Sequence, residues 1–108
     1  MSANKVRDLN DAFRKNPCGL GNLLMTRNLI HRGNGFADRA LDAVRDYDGF
    51  EKGNDPYGEH DFISVEIDGE TVYGKIDCYD QSMQYGSPNP EDPNVTVRVL
   101  TIMLAEDY

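Results

Sequence analysis

Positive charge is scarce in the second half of this 108-residue chain. Residues 1–48 carry eight Lys/Arg against six Asp/Glu, whereas residues 49–108 carry three against thirteen, so the halves hold about +2 and −10 of a total of −8. A field of that sign repels nucleic acid and anionic membrane surfaces and attracts basic surfaces. Direct binding to nucleic acid or membrane is therefore not expected, and a protein that itself handles DNA or RNA is the natural basic partner. Cysteine is sparse too. Cys18 and Cys78 lie far apart, outside any CxxC or Cys/His spacing, and read as two free thiols in a reducing compartment. No stretch is long and apolar enough to span a membrane, and the polar start Met1-Ser2-Ala3-Asn4-Lys5 is unlike a signal peptide, so a cytoplasmic protein is expected. Without export, the sequon Asn94-Val95-Thr96 carries no meaning.

Known catalytic patterns are missing as well. Glu59-His60 is not HExxH, the surrounding loop lacks the EF-hand ligand series, and no Gly-x-Ser-x-Gly elbow occurs. Gly19-Leu20-Gly21 and Gly33-Asn34-Gly35 lack the context of a phosphate-binding loop and read as turns. No catalytic residue, metal or cofactor is assigned, and a non-enzyme is expected.

What is there is a single small domain over residues 1–108. Val6, Leu9, Ala12 and Phe13 recur at helical spacing and predict a helix over 3–15, stopped by Asn16-Pro17 and Gly19. Leu23-Leu24-Met25-Thr26 reads as a short buried strand, and 27–35 as a loop with Arg27, His31 and Arg32 exposed. Phe36, Ala40, Leu41 and Val44 predict a helix over 35–47 with Asn34 as its cap. A Gly/Asn/Asp/Pro-rich loop runs over 49–61.

The strongest local signal follows. Phe62-Ile63-Ser64-Val65-Glu66-Ile67 alternates, Asp68-Gly69 follows, and Glu70 to Tyr79 alternates again. A two-residue Asp-Gly link favours a type I′ hairpin, which sets Ile67 opposite Glu70, Val65 opposite Val72 and Ile63 opposite Gly74. Ile63, Val65, Ile67, Val72, Ile76 and Cys78 then share the core face, which makes Cys78 a structural thiol. Ser64, Glu66, Thr71, Tyr73, Lys75, Asp77 and Tyr79 share the other face. After a second long loop, Asp92-Pro93 reads as a helix start, and Val95, Val99, Ile102 and Met103 as a helical stripe. Val95, Val97 and Val99 also alternate, as in a strand. The expected class is α+β: a small antiparallel sheet with a central hairpin covered by about three helices, in the order α-β-α-β-β-α.

The hairpin register places the loop 54–61 beside the end of the second strand. Asp55, Glu59, His60, Asp61, Asp77 and Asp80 should gather at one end of the sheet. Such a group suits a divalent cation or a perturbed acid/base, or a partner surface; alternatively these side chains shape their own turns. Tyr73, Tyr79, Tyr85 and Tyr108 suggest an aromatic–acid patch of the kind that anchors protein partners, or equally a solvated sheet face or a cover for the last helix.

Asn54-Asp55-Pro56-Tyr57-Gly58-Glu59-His60-Asp61-Phe62 strongly resembles the hallmark of a bacterial family of unknown function, number 3768 in its series. The resemblance continues through Lys75-Ile76-Asp77, Tyr79-Asp80, Tyr85-Gly86-Ser87-Pro88 and Val99-Leu100-Thr101-Ile102-Met103-Leu104-Ala105-Glu106. Leu9-Asn10-Asp11-Ala12-Phe13-Arg14 looks like the family's opening helix. The resemblance implies a setting of bacterial chromosomes and mobile elements and supplies no catalytic residues. Together with the acidic half, it leads to an expected role as a small inhibitor of the anti-CRISPR or anti-restriction type. Such an inhibitor would block a nucleic-acid-binding surface on a bacterial defence protein. The candidate contacts are Asp55, Tyr57, Glu59, His60, Asp61, Glu66, Tyr73, Asp77, Tyr79 and Asp80. The alternatives are a metal-dependent or hydrolytic enzyme using residues 55–61 with Asp77 and Asp80, and an adaptor or regulator with another protein partner.

Overall fold

Helix α1 (Ser2–Lys15) ends where Asn16-Pro17 breaks the pattern. The computed structural model describes residues 2–17 and 22–108, so the readings of Cys18 as a free thiol, of Gly19 as a helix stop and of Gly19-Leu20-Gly21 as a turn lie outside the described residues. The buried stripe of α1 is Val6, Asn10, Phe13 and Arg14, an i, i+4, i+7, i+8 face that includes two polar side chains, whereas Ala12 is exposed. Strand β1 (Asn22–Met25) follows.

The segment expected to be a loop after β1 instead begins with a one-turn helix, α2 (Arg27–Ile30). Thr26 caps it by accepting the Leu29 N–H at 3.4 Å. Leu29 is fully buried, so tertiary packing holds a turn too short to persist alone. Helix α3 (Phe36–Asp46) buries Phe36, Ala40 and Val44. Its N-cap is Gly35 at φ +75°, without a side-chain cap, and not Asn34 as expected.

Strands β2 (Phe62–Ile67) and β3 (Glu70–Tyr79) pair in the register read from the sequence. Asp68 and Gly69 both have positive φ, 52° and 82°, as a type I′ turn requires. The last element departs from expectation. Residues 97–104 form strand β4 (Val97–Leu104), not a helix, followed by a 3₁₀ turn at Ala105–Asp107. Asp92 closes a local turn by accepting the Asn94 N–H at 2.9 Å and does not cap a helix. β4 is an inner strand with burial on both faces, and its Val, Thr and Ile residues suit a strand.

The α+β class holds, with the sheet order β1-β4-β3-β2. The sheet is mixed and not purely antiparallel, because β1 runs parallel to β4 while β2–β3 and β3–β4 are antiparallel. The core lies on one face of the sheet. There Ile63, Val72, Ile76, Leu100, Ile102 and Leu104 meet Phe13 of α1, Leu29 of α2 and Phe36, Ala40 and Val44 of α3. The short α2 thus takes the covering role expected of a C-terminal helix.

Gly74 marks the closest approach of α3 to the sheet. A Cβ there would meet Val44 Cγ1 at 3.0 Å and Cγ2 at 3.2 Å. Gly74→Val is expected to destabilise the fold by about 1–3 kcal/mol, with part of the loss recovered by Val44→Ala in the same chain. Urea denaturation of the single and double variants checks both.

Candidate functional site

The hallmark loop folds around Phe50. That ring stacks on His60 with centroids 3.8 Å apart and planes 5° from parallel, and it meets the edge of Tyr47 at 4.8 Å. The guanidinium of Arg14 lies 5.4 Å from the Phe50 centroid. Arg14 is 98% buried by its side chain, and one of its terminal nitrogens donates to the carbonyls of Val44, Arg45 and Tyr47 at 2.9–3.0 Å, capping α3. Its other terminal nitrogen donates to Asp11 at 2.9 Å, while its Nε finds no acceptor among the described residues.

Asp11 also meets His60 Nδ1 at 2.9 Å. On the other side of the imidazole, the Asp55 carboxylate lies 3.5 Å from Nε2 and accepts the backbone N–H of His60 at 3.2 Å. That bond holds His60 in the left-handed region at φ 55°, where a non-glycine residue needs support from its surroundings. Asn54 accepts the Glu51 N–H and donates to Gly49 and Tyr47, which closes the preceding turn. Asn54, Asp55 and His60 therefore hold the loop to itself and to α1.

A second anchor sits on the neighbouring turn of α1. Asn10, buried to 1% exposure, donates to the Glu59 carbonyl at 2.9 Å and accepts from Arg98 Nε at 2.7 Å. Arg98, itself buried, donates onward to the Pro90 carbonyl at 2.8 Å. These bonds join the hallmark loop, α1, β4 and the loop before β4. The sequence reading missed Asn10, Asp11, Arg14, Phe50 and Arg98. The signal for Asn10 and Arg14 was their spacing from Val6, hidden because the stripe was sought among apolar residues alone.

The expected acidic gathering forms in part. Glu59, Asp61 and Asp77 line a cleft of about 210 Å³ with Val6, Asn10, Ile76, Cys78 and Pro90. Burial pushes the Asp61 carboxyl above its ordinary range, with Asp55 and Asp77 adding to the effect. Burial likewise raises Glu59, followed by its neighbours Asp61 and Asp55. The Cys78 thiol is pushed up by burial, as befits a structural thiol. Asp77 lies 3.0 Å from Lys75.

Three of the expected members are engaged elsewhere. His60 meets Asp11 of α1, and Asp55 is spent on the backbone and ring of His60 although it remains near enough to raise Glu59 and Asp61. Asp80 accepts from the Ser82 hydroxyl and the N–H groups of Gln84 and Tyr85, which shapes its own turn and holds its carboxyl below the usual range. No group of three or more His, Cys, Asp or Glu side chains among the described residues is placed to hold a metal ion. Tyr57 is 81% exposed, and Glu66 accepts from Thr71 Oγ1 at 2.6 Å on the outer face of the hairpin. Tyr73 and Tyr108 meet each other and Phe62, whereas Tyr79 and Tyr85 make no ring contact among the described residues.

Two outcomes follow from this arrangement. Arg14→Met strips the α3 carbonyls of their donor and leaves Asp11 without its cation; a loss of about 3–5 kcal/mol is expected in urea denaturation. Asp61→Asn should act in the opposite direction. A carboxyl whose pKa is raised by folding destabilises the fold above that pKa and has no effect below its ordinary value. The substitution should therefore raise the thermal midpoint at neutral pH, with the gain disappearing as the pH falls through the raised pKa to below the ordinary aspartate range.

No helix among the described residues is long and apolar enough to cross a membrane. The family described as Protein of unknown function (DUF3768) matches residues 25–107. No curated protein and no solved structure matches the chain. The matched span leaves out α1, so the likeness of Leu9–Arg14 to a family opening helix stands outside it. It takes in the hallmark loop, the hairpin, β4 and the turn after it, and on that match the chain belongs to the DUF3768 family.

Proposed function

We propose that the protein is a small cytoplasmic binding inhibitor of the anti-CRISPR or anti-restriction type, which occupies a nucleic-acid-binding surface on a bacterial defence protein. The observation that carries this reading is where the cations go. Arg14 and Arg98 are buried and used internally. Arg32 pairs with Glu70, Arg39 with Asp68 and Lys75 with Asp77. Lys52 is then the one cation of residues 49–108 that is neither buried nor paired with a carboxylate among the described residues. Glu51, Glu59, Asp61, Glu66, Glu91 and Glu106 have no ion-pair partner among them either. The surface is left with uncompensated negative charge, including two carboxyls that folding itself disfavours as ions. A basic partner relieves that crowding, and long-range attraction speeds the encounter.

The reading as a metal-dependent or hydrolytic enzyme has less support, because Asp55, His60 and Asp80 are engaged in holding their own loops. An adaptor with another protein partner shares the binding but not the salt dependence. The tagged protein, used to capture partners from a bacterial lysate, should retain a nucleic-acid-handling protein in a low-salt wash and release it at high salt. DNA or RNA should displace that partner in competition. A partner held equally at both salt concentrations and indifferent to nucleic acid would favour the adaptor.

A further inference from the structure

The sheet has two faces, and the apolar cluster that it builds with α1, α2 and α3 lies on one of them. On the β2–β3 part of the other face lie Phe62 and Tyr73, with the Tyr108 ring laid against both at centroid distances of 5.7 Å. Phe62 and Tyr73 are 5.0 Å apart. Tyr108 is held there by the turn before it. Asp107 accepts from Thr26 Oγ1 and Asn28 Nδ2, each at 2.7 Å, and from the Leu104 N–H at 3.3 Å. Those hydroxyl and amide donors keep the Asp107 carboxyl below its usual range, so the clamp is ionised and closed at neutral pH. Tyr108 as a residue is nevertheless 75% exposed. A tethered aromatic side chain that stays in water has little to gain from folding alone and is suited to covering something else.

The surroundings of this patch select its occupant. Glu66 and Asp77 flank it on β2 and β3, and Lys75, the cation on the same face, is already paired with Asp77. Tyrosine rings bordered by carboxylates complement arginine: the guanidinium stacks on a ring through its flat face while its edge donates to a carboxylate. Lysine lacks the planar fork and gains less from the ring.

We infer that this outer face of β2–β3, centred on Phe62, Tyr73 and Tyr108, docks arginine side chains of the basic partner, with Glu66 as their charge partner. The inference rests on the reading above of an acidic protein that binds a basic surface. It adds where contact is made and which cation is chosen.

The test titrates polyarginine and polylysine peptides of equal length into the isotope-labelled full chain at low salt, followed by chemical shifts. Polyarginine should bind more tightly than polylysine and shift Phe62, Tyr73 and Tyr108. Tyr108→Ala, at an exposed position that spares the fold, should weaken polyarginine binding by about tenfold. Glu66→Gln should weaken it in the same direction. Glu91→Gln, on the loop before β4, should leave it nearly unchanged. If both peptides bind equally, or the shifts fall elsewhere and Tyr108→Ala has no effect, the docking face is wrong while the basic-partner reading stands. If neither peptide binds at low salt, that reading fails and this inference fails with it.

Discussion

A guanidinium held out of water must find acceptors for its N–H groups, and that requirement at Arg14 organises the junction on which the rest of the molecule depends. The acceptors are the last carbonyls of α3 and the carboxylate of Asp11. Because those carbonyls belong to the end of a helix, one side chain fixes the relative position of α1 and α3. Because Asp11 also holds His60, the same side chain fixes the hallmark loop. Phe50 fills the space between, with the guanidinium near its ring and the imidazole stacked on it. The loop is rich in glycine, asparagine and aspartate and has little apolar surface of its own, so its shape comes from these polar anchors and not from a core.

Anchoring and exposure are divided cleanly along the hallmark string. Asp55 and His60 are buried or half-buried and consumed by the fold, and Asn54 closes the preceding turn at the surface. Tyr57 and Asp61 are exposed as residues, Asp61 while its carboxyl lines the acidic cleft. A rigid scaffold that spends some residues of a loop on its own geometry and leaves others in water is suited to presenting those others at fixed positions, which reduces the entropy lost when a partner binds. The acidic cleft is consistent with that division. Glu59 and Asp61 crowd Asp55 and Asp77 even though folding alone would be better served by neutral side chains there.

The parts of the fold that could be read from the sequence are those where a local rule decides. Asp68-Gly69 between two alternating runs leaves only one register, and the structure has it. The stripe Phe36, Ala40, Leu41 and Val44 is apolar throughout, so α3 was legible. β4 was not, because a central strand buried on both faces loses its alternation and its apolar residues then fall by chance at helical spacing. α2 was hidden because a single turn carries almost no periodicity, and its stability comes from a cap and one buried leucine. At the candidate site, the acidic loop and its nearness to Asp77 were legible from the hairpin register, whereas the anchoring of Glu59 and His60 to α1 depends on contacts 49 positions apart. No local pattern encodes such contacts. Asn10 and Arg98, 88 positions apart, are the extreme case.

The placement of β4 has a bearing on how the molecule comes together in time. It is the last strand along the chain, yet it lies between β1 and β3 in the sheet, and its pairing of Asn22 with Val99 closes a loop of about 77 positions. The β2–β3 hairpin can form early from neighbouring residues, but β1 has no hydrogen-bonding neighbour until β4 arrives, and neither does the second edge of β3. A hairpin that forms first is therefore expected to keep an open strand edge until β4 pairs with it, while Asn10 of α1 still lacks Arg98. The arrival of one strand then pairs two edges, buries the core and satisfies that asparagine together. Closure of this small sheet is thus expected to come late, and the interval before it is when an open strand edge is most exposed to pairing with the wrong strand.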